Sequence, residues 1–193
     1  YVKDNQGRKE VHINDRSKLI VNPQGETVSR PTVKRKSIKE LSDNEGDAEI
    51  MGTIVQVFDP TFFEVCPTCG KRTKPENGKY SCGQHGEVTP DYNYVTNLLL
   101  DDGSDNLRVV FFGRQTEQLF KKQKSDLLGM REQPANLEQL KNDLLGSIIK
   151  VEGRVMKNQM FERLEMRANS VDMNINPDEE IKRLEAEQNS GQG

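Results

Sequence analysis

Residues 65–86 read VCPTCGKRTKPENGKYSCGQHG, and the organisation of the chain turns on this stretch. Cys66 and Cys69 form a C-x2-C pair, Cys82 and His85 form a C-x2-H pair, and twelve residues lie between the two. Each tight turn offers two donors to one side of an ion, and the intervening loop folds back to complete the set. Glycines follow both pairs, at Gly70 and Gly86, where such turns need positive φ. Thiolate and imidazole donors favour zinc over magnesium or calcium, which take oxygen ligands. Four protein ligands leave no open coordination position, so the expected cofactor is one structural zinc per chain. Redox thiols are the plainer alternative, but all three cysteines of the chain lie in this site, leaving none for exchange. Haem attachment needs a His directly after C-x-x-C, where Gly70 stands. A three-cysteine site with His85 at the surface is the remaining variant.

On both sides of this ribbon the periodicity is that of strands. Upstream, Met51, Thr53, Val55 and Val57 fall on one side of a strand, with Ile54 and Gln56 on the other. Asp59-Pro60 breaks it, and Phe62-Phe63-Glu64-Val65 leads into the first metal turn. Downstream, Pro90 resets the chain and Tyr92 to Leu100 forms a strongly apolar strand. Asp101-Asp102-Gly103-Ser104-Asp105 has hairpin-loop residues, and Leu107 to Phe112 returns to Gly113. Those aspartates read as a solvated turn, since no further acidic or His partner lies nearby.

Two helical stretches follow, one on Thr116, Leu119, Phe120 and Leu127, the other on Leu137, Leu140 and Leu144 with Gly146 as a stop. A polar loop around Met130 to Pro134 separates them. Ile149, Val151, Gly153 and Val155 then alternate with Lys150, Glu152 and Arg154. Beyond a polar hairpin at Lys157-Asn158-Gln159, Leu164, Met166 and Ala168 alternate with Arg163, Glu165 and Arg167. The pattern slips at Asn169-Ser170, as a bulge makes it, and resumes at Val171 and Met173. Asn176-Pro177-Asp178-Glu179-Glu180 starts a helix, with an N-cap, Pro at the first position and acids in the first turn. Its apolar stripe, Ile181 and Leu184, is thin.

Five strands with a helical segment between the third and fourth is the order of an OB fold. The expected class is mainly β: a five-stranded barrel, a zinc ribbon inserted between strands 1 and 2 (residues 64–88) and a C-terminal helix. Such barrels bind oligonucleotides across strands 2 and 3 and between the first and last hairpin loops. The barrel is expected over residues 48–175, and the helix and tail over 176–193. Residues 23–47, rich in Pro, Ser, Gly and charge with a basic run Lys34-Arg35-Lys36, read as a linker. In residues 1–22, Val11 and Ile13 alternate with His12 and Asn14, and Leu19 and Val21 with Lys18 and Ile20, around a polar middle, as the terminal strand of a preceding domain. Tyr1 stands where an initiator Met would, so a piece of a longer chain is expected.

The 193 residues are polar, 33% hydrophobic and 31% charged, so the core is modest. Net charge is −3, and a nucleic-acid surface must therefore be a local patch. No signal peptide or membrane-length apolar run is present, and three cysteines at metal spacing point to a reducing interior, the cytoplasm. No membrane partner is expected. A zinc-dependent nuclease or hydrolase is disfavoured by the saturated metal, the lack of a second usable His and the lack of an acid pair outside a turn.

Several runs together are similar to a known family. They are Gly52-Thr53-Ile54-Val55, Phe63-Glu64-Val65-Cys66-Pro67, Asn97 to Gly103, Leu107 to Gly113, Val151 to Val155 and Arg163 to Met166. Over roughly residues 48–187 the chain resembles the C-terminal domain of archaeal replication protein A. The resemblance implies a non-enzymatic protein that binds single-stranded DNA in replication, recombination and repair, nucleoid-associated in an archaeon. It also implies one OB domain ahead of this one. In eukaryotic relatives this domain builds a three-subunit core through its C-terminal helix, which makes other replication protein A subunits candidate partners. The few apolar residues of the helix here depart from that pattern. A scaffold that mainly assembles subunits or docks repair partners, with weak DNA contact, is the alternative reading.

Binding single strands needs cations for phosphates and flat side chains for exposed bases. On strand 3, Leu107, Val109 and Phe111 should face the barrel interior, leaving Arg108, Val110 and Phe112 on the groove. Arg108 and Phe112 are the principal DNA-binding candidates; in the family, groove-side aromatics of this strand stack on bases. The last hairpin offers Lys157, Asn158, Phe161 and Arg163 as a lid, and the ribbon adds Lys71, Arg72 and Lys74. Phe62 and Phe63 are candidates divided between base stacking and core packing, whereas Phe111 and Phe120 are assigned to the core.

Overall fold

The computed structural model describes residues 1–5, 8–20, 33–43 and 45–190. The chain divides into two compact units, Tyr1–Thr32 and Val33–Gly193. In the first, β1 (Val2–Asn5) and β2 (Arg8–Val11) form an antiparallel hairpin with Val2 opposite Val11. The Tyr1 ring stacks on His12 with centroids 5.1 Å apart. The strand expected through Ile13 and Leu19 is not formed: both are exposed and lie outside any strand, while Val21 falls outside the described residues. Residues 23–32 of the expected linker also fall outside them.

The second unit is built on a closed barrel. Its first strand is β3 (Gly46–Val57), followed by β4 (Thr61–Val65), then the ribbon strands β5 (Lys74–Glu76), β6 (Lys79–Cys82) and β7 (Gly86–Val88). The hairpin β8 (Asp91–Asp101) and β9 (Asn106–Phe112) leads into α1 (Gly113–Phe120), α2 (Lys124–Met130) and α3 (Pro134–Leu144). A second hairpin, β10 (Ile148–Asn158) and β11 (Arg163–Asp172), precedes α4 (Pro177–Ser190). β3 pairs with β10 along Gly46–Thr53 and with β8 along Thr53–Val57. β8 pairs with β9, β9 runs parallel to β11, and β11 returns to β10. That circuit, with its single parallel pair, closes the five-stranded OB barrel. β4 continues the sheet beyond it along β8, with Phe63 opposite Asn93.

Alternating apolar residues fill the barrel as the two-residue strand period requires. Ile50, Ile54, Leu98, Leu100, Val109, Phe111, Ile149, Val151 and Met166 are all buried. One expected face is corrected. Met51, Thr53 and Val55 point outward, but the register shift between Ile54 and Gln56 turns Val57 inward with Ile54. The second bulge falls where the sequence slips: Glu152 opposes Ser170 and Gly153 opposes Ala168, leaving Asn169 as the extra residue. Gly153 is required there, since a Cβ would lie 2.4 Å from the Arg167 carbonyl oxygen.

Three helices replace the two expected. Lys121 takes a left-handed conformation (φ 51°) that ends α1, and Pro134 opens α3 rather than sitting in the loop. α4 begins as read, with Asn176 Oδ1 accepting from the Asp178 N–H at 3.0 Å.

The chain from Lys34 is not a tether. The Lys36 N–H donates to the Glu49 carbonyl at 2.9 Å, and the Glu49 N–H to that of Lys34 at 3.0 Å. This edge of β3 lies ahead of the residues that pair with β8. Ile38 and Leu41 then enter the core at 5% and 7% exposure. Composition alone misread this stretch, because its apolar residues are few but all inward. Two residues of the basic run are spent on ion pairs: Arg35 with Glu49 at 2.6 Å and with Glu180 of α4, and Lys36 with Glu45.

Candidate metal centre and nucleic-acid interface

Two knuckle turns build the candidate metal centre. Cys66 leaves β4 with its N–H bonded to the Lys71 carbonyl, while Gly70, at φ 68°, returns its N–H to the Cys66 carbonyl, both at 2.8 Å. In the second turn the His85 N–H reaches the Cys82 carbonyl at 3.2 Å, and Gly86 repeats the φ of 68°. Cys66, Cys69, Cys82 and His85 present donors that all lie within 4.8 Å of one another. His85 Nδ1 stands 3.4 Å from Cys66 Sγ and 3.6 Å from Cys82 Sγ, and the Cys69 and Cys82 sulfurs are 3.6 Å apart.

A tetrahedron with metal–sulfur bonds of about 2.3 Å and metal–nitrogen of about 2.0 Å has edges of roughly 3.5–3.8 Å. The donor set fits a metal ion of that kind. The backbone N–H of Gln84 and then that of His85 pull the Cys82 thiol down to about 6, against the effect of burial. Cys82 is thereby poised as a thiolate ligand.

The groove face follows from strand parity. Leu107, Val109 and Phe111 are buried, which leaves Arg108, Val110 and Phe112 on the outer surface of β9. Across β8 these oppose Leu99, Asn97 and Val95; across β11, Glu165 opposes Arg108 and Arg167 opposes Val110. Three arginines lie over three rings on this surface. Arg108 covers Phe58 at 5.0 Å, Arg167 covers Phe112 at 4.9 Å, and Arg72 of the ribbon covers Phe63 at 5.2 Å. Arg108 also stands 4.0 Å from the Glu165 carboxylate.

Phe62 is removed from the candidate interface. It opposes Tyr94, whose ring it meets edge-on at 5.9 Å, and packs against the core. Its neighbour Phe63 takes the other parity and so shares the face of Asn93 and Val95 on β8.

The other expected residues divide between ribbon and hairpin. Lys71 and Lys74 are exposed on the ribbon, and of its three expected cations only Arg72 is stacked on a groove ring. Asn158 caps the β10–β11 turn, its Oδ1 accepting from the Met160 and Phe161 N–H groups at 3.0 and 3.3 Å. Phe161 is 52% exposed, with Arg163 at 5.5 Å over its ring, and the Lys157 side chain is exposed. Two residues of the face, Phe58 and Arg167, were not singled out from sequence. Arg167 was legible in the alternation of β11, whereas Phe58 follows the end of β3, where periodicity gives no parity.

Residues 48–184 match the family described as the Replication factor-A C terminal domain. Among solved structures, a replication protein A heterotrimer bound to single-stranded DNA superposes with a TM-score of 0.67 at 14% identity, over 80% of this chain and 39% of that one. Yeast replication protein A bound to single-stranded DNA superposes at 0.63 and 13% identity, over 85% of this chain and 99% of that one. The chain thus spans 39% of the length of the first of these relatives. At such identities the likeness is one of fold. No curated protein matches the sequence. The family match covers most of the chain, including the ribbon and all of the barrel but the first two residues of β3, and the observed topology agrees with it. This chain therefore belongs to the family of replication factor-A C-terminal domains.

Proposed function

We propose that the outer face of β8, β9 and β11 binds single-stranded DNA with little sequence preference, in replication, recombination and repair. The observation that carries this reading is the row of Arg72–Phe63, Arg167–Phe112 and Arg108–Phe58 pairs on one sheet face. Each pair joins a stacking plane to a cation, the two side-chain classes that a strand of unpaired bases and phosphates requires. Referred to β8, the first two pairs sit at Asn93 and Val95 and the third at Leu99. At roughly 3.3 Å per residue they are about 7 and 13 Å apart, so they meet different nucleotides. On this reading Lys157, Phe161 and Arg163 of the β10–β11 hairpin contact the strand from the β11 side, and Lys71 and Lys74 of the ribbon from the β4 side. Zinc is the ion we assign to the ribbon, in a structural role. On this reading the chain is a binding domain and not an enzyme.

A labelled single-stranded oligonucleotide titrated by fluorescence anisotropy, with duplex as competitor, tests the proposal. Stacking needs bases that are free, so single strands should compete far better than duplex. The affinity should fall with salt by a log–log slope of about −0.7 per phosphate neutralised. With a net charge of −3, few such contacts and a modest affinity are expected. Equal competition by duplex would favour the second reading, a scaffold for other replication protein A subunits. That reading draws on α4, where Ile181 and Leu184 are 54% and 49% exposed.

A further inference from the structure

The β10–β11 hairpin outruns the sheet that supports it. β3 starts at Gly46, opposite Val155, and beyond that residue no strand among the described residues lies beside the outer edge of β10. From Met156 to Leu164 the strands of the arm pair only with each other, β9 joining β11 at Glu165, and a two-stranded ribbon is marginal in water. One acceptor reaches that bare edge. Asp43 Oδ1 takes the Lys157 N–H at 2.8 Å, a charge-assisted bond to the backbone of a residue expected to contact DNA.

Asp43 is itself held in place. The Glu45 N–H donates to the Ser42 carbonyl at 3.1 Å, and the Ser42 hydroxyl to the Glu45 carboxylate at 3.2 Å, which fixes the turn around it. Upstream, Ile38 and Leu41 are embedded in the core, and the Ile38 N–H donates to Asp102 of the β8–β9 loop at 2.7 Å. Residues 34–43 therefore form a strap anchored to β3, to the core and to the β8–β9 loop, with its last side chain on the β10–β11 arm.

We propose that Asp43 is a positioning residue: through the Lys157 N–H it sets where the arm carrying Lys157, Phe161 and Arg163 stands beside the groove. The geometry stands alone; the consequence for binding rests on the single-stranded DNA reading above. Asp43 does not touch the strand, and as an anion it would repel one. Its contribution is order in the arm, which should appear mainly in how long the complex lasts.

The test uses the full chain, with Asp43→Ala to remove the acceptor and Asp43→Asn to keep an oxygen there. Amide hydrogen exchange should quicken at Lys157 and across residues 157–163 in the Ala variant and stay near wild type in the Asn variant. Ile149 to Val155 should be unchanged in both, which separates local release from general loss of stability. Anisotropy with a labelled oligothymidine should give about three- to tenfold weaker binding for Ala, the range one hydrogen bond supplies, with most of it in dissociation rate. Asn should restore it. Unchanged exchange at Lys157 in the Ala variant would overturn the brace. Faster exchange with unaltered affinity would overturn the positioning role. Wild-type protein that binds no strand would overturn the DNA reading and this consequence of it, while the exchange data still decide the brace.

Discussion

Phe111 and Phe112 are adjacent in sequence, yet one is fully buried in the barrel and the other lies on the outer face beneath Arg167. Phe62 and Phe63 repeat the contrast on β4. Which ring serves the groove is a matter of strand parity, and parity is legible wherever a strand is long and regular. On β9, Leu107, Val109 and Phe111 fix it from sequence alone; on short β4 two adjacent phenylalanines give no alternation to read. Phe112→Ala should remove one stacking platform and cost about 1–3 kcal/mol of binding, leaving the salt slope nearly unchanged. Arg108→Ala should instead lower the slope by about 0.7, with a further loss because Glu165 would then face the phosphates unopposed. If Phe112→Ala melts the protein while affinity per folded molecule holds, the parity is wrong. Gly153 makes the opposite point, since its role is steric. A Cβ there meets the Arg167 carbonyl oxygen at 2.4 Å and the Met166 side chain at 2.7 Å, so Gly153→Ala should destabilise the barrel by about 1–3 kcal/mol. Thermal unfolding measures it; an unshifted midpoint would show that the bulge can relax.

Among the elements, the barrel strands and α4 were legible because their patterns are local, whereas the strap was not, because its partners are remote. Nothing near Arg35 in sequence indicates Glu180, and the break at Lys121 that divides the helices rests on a left-handed residue without a Gly to mark it. Glu180 is the hub that ties α4 down: Arg35 meets its carboxylate, Lys150 reaches it at 2.9 Å and Arg183 at 3.1 Å. Arg35 first, with Lys150 and Arg183, holds that carboxyl at about 2, against an ordinary 4.5. A folded pKa below the unfolded one stabilises fully above about 4.5, and the contribution fades as pH falls toward 2. Protection of the α4 amides, taken relative to their intrinsic exchange rates, should therefore fall on acidification through that window, ahead of the barrel. Glu180→Gln should release α4 at neutral pH and flatten its response to acid. An α4 equally protected in the variant would mean that its packing, not this carboxylate, holds it.

At the scale of the molecule, the buried residues do not form one mass. The main core joins the strap, the five barrel strands and α1 to α3, while Val65, Cys66 and Cys82 are buried outside it. The ribbon strands β5 to β7 are three or four residues long, and β5 is exposed throughout. Strands so short bury too little apolar surface to fold by themselves, and a metal ion held by the four donors would supply what the core does not. Structural zinc contributes about 10–16 kcal/mol in finger peptides. Elemental analysis of protein purified under reducing conditions should find one zinc per chain, and a metal-free result would end the assignment. Removing the metal with a chelator, or by Cys69→Ser, should strip exchange protection from residues 66–88 and leave β8 to β11 protected. DNA affinity should fall as well, because Arg72 and Phe63 lose the support that keeps them on the groove face. Collapse of the barrel together with the ribbon would show that the two cores fold as one.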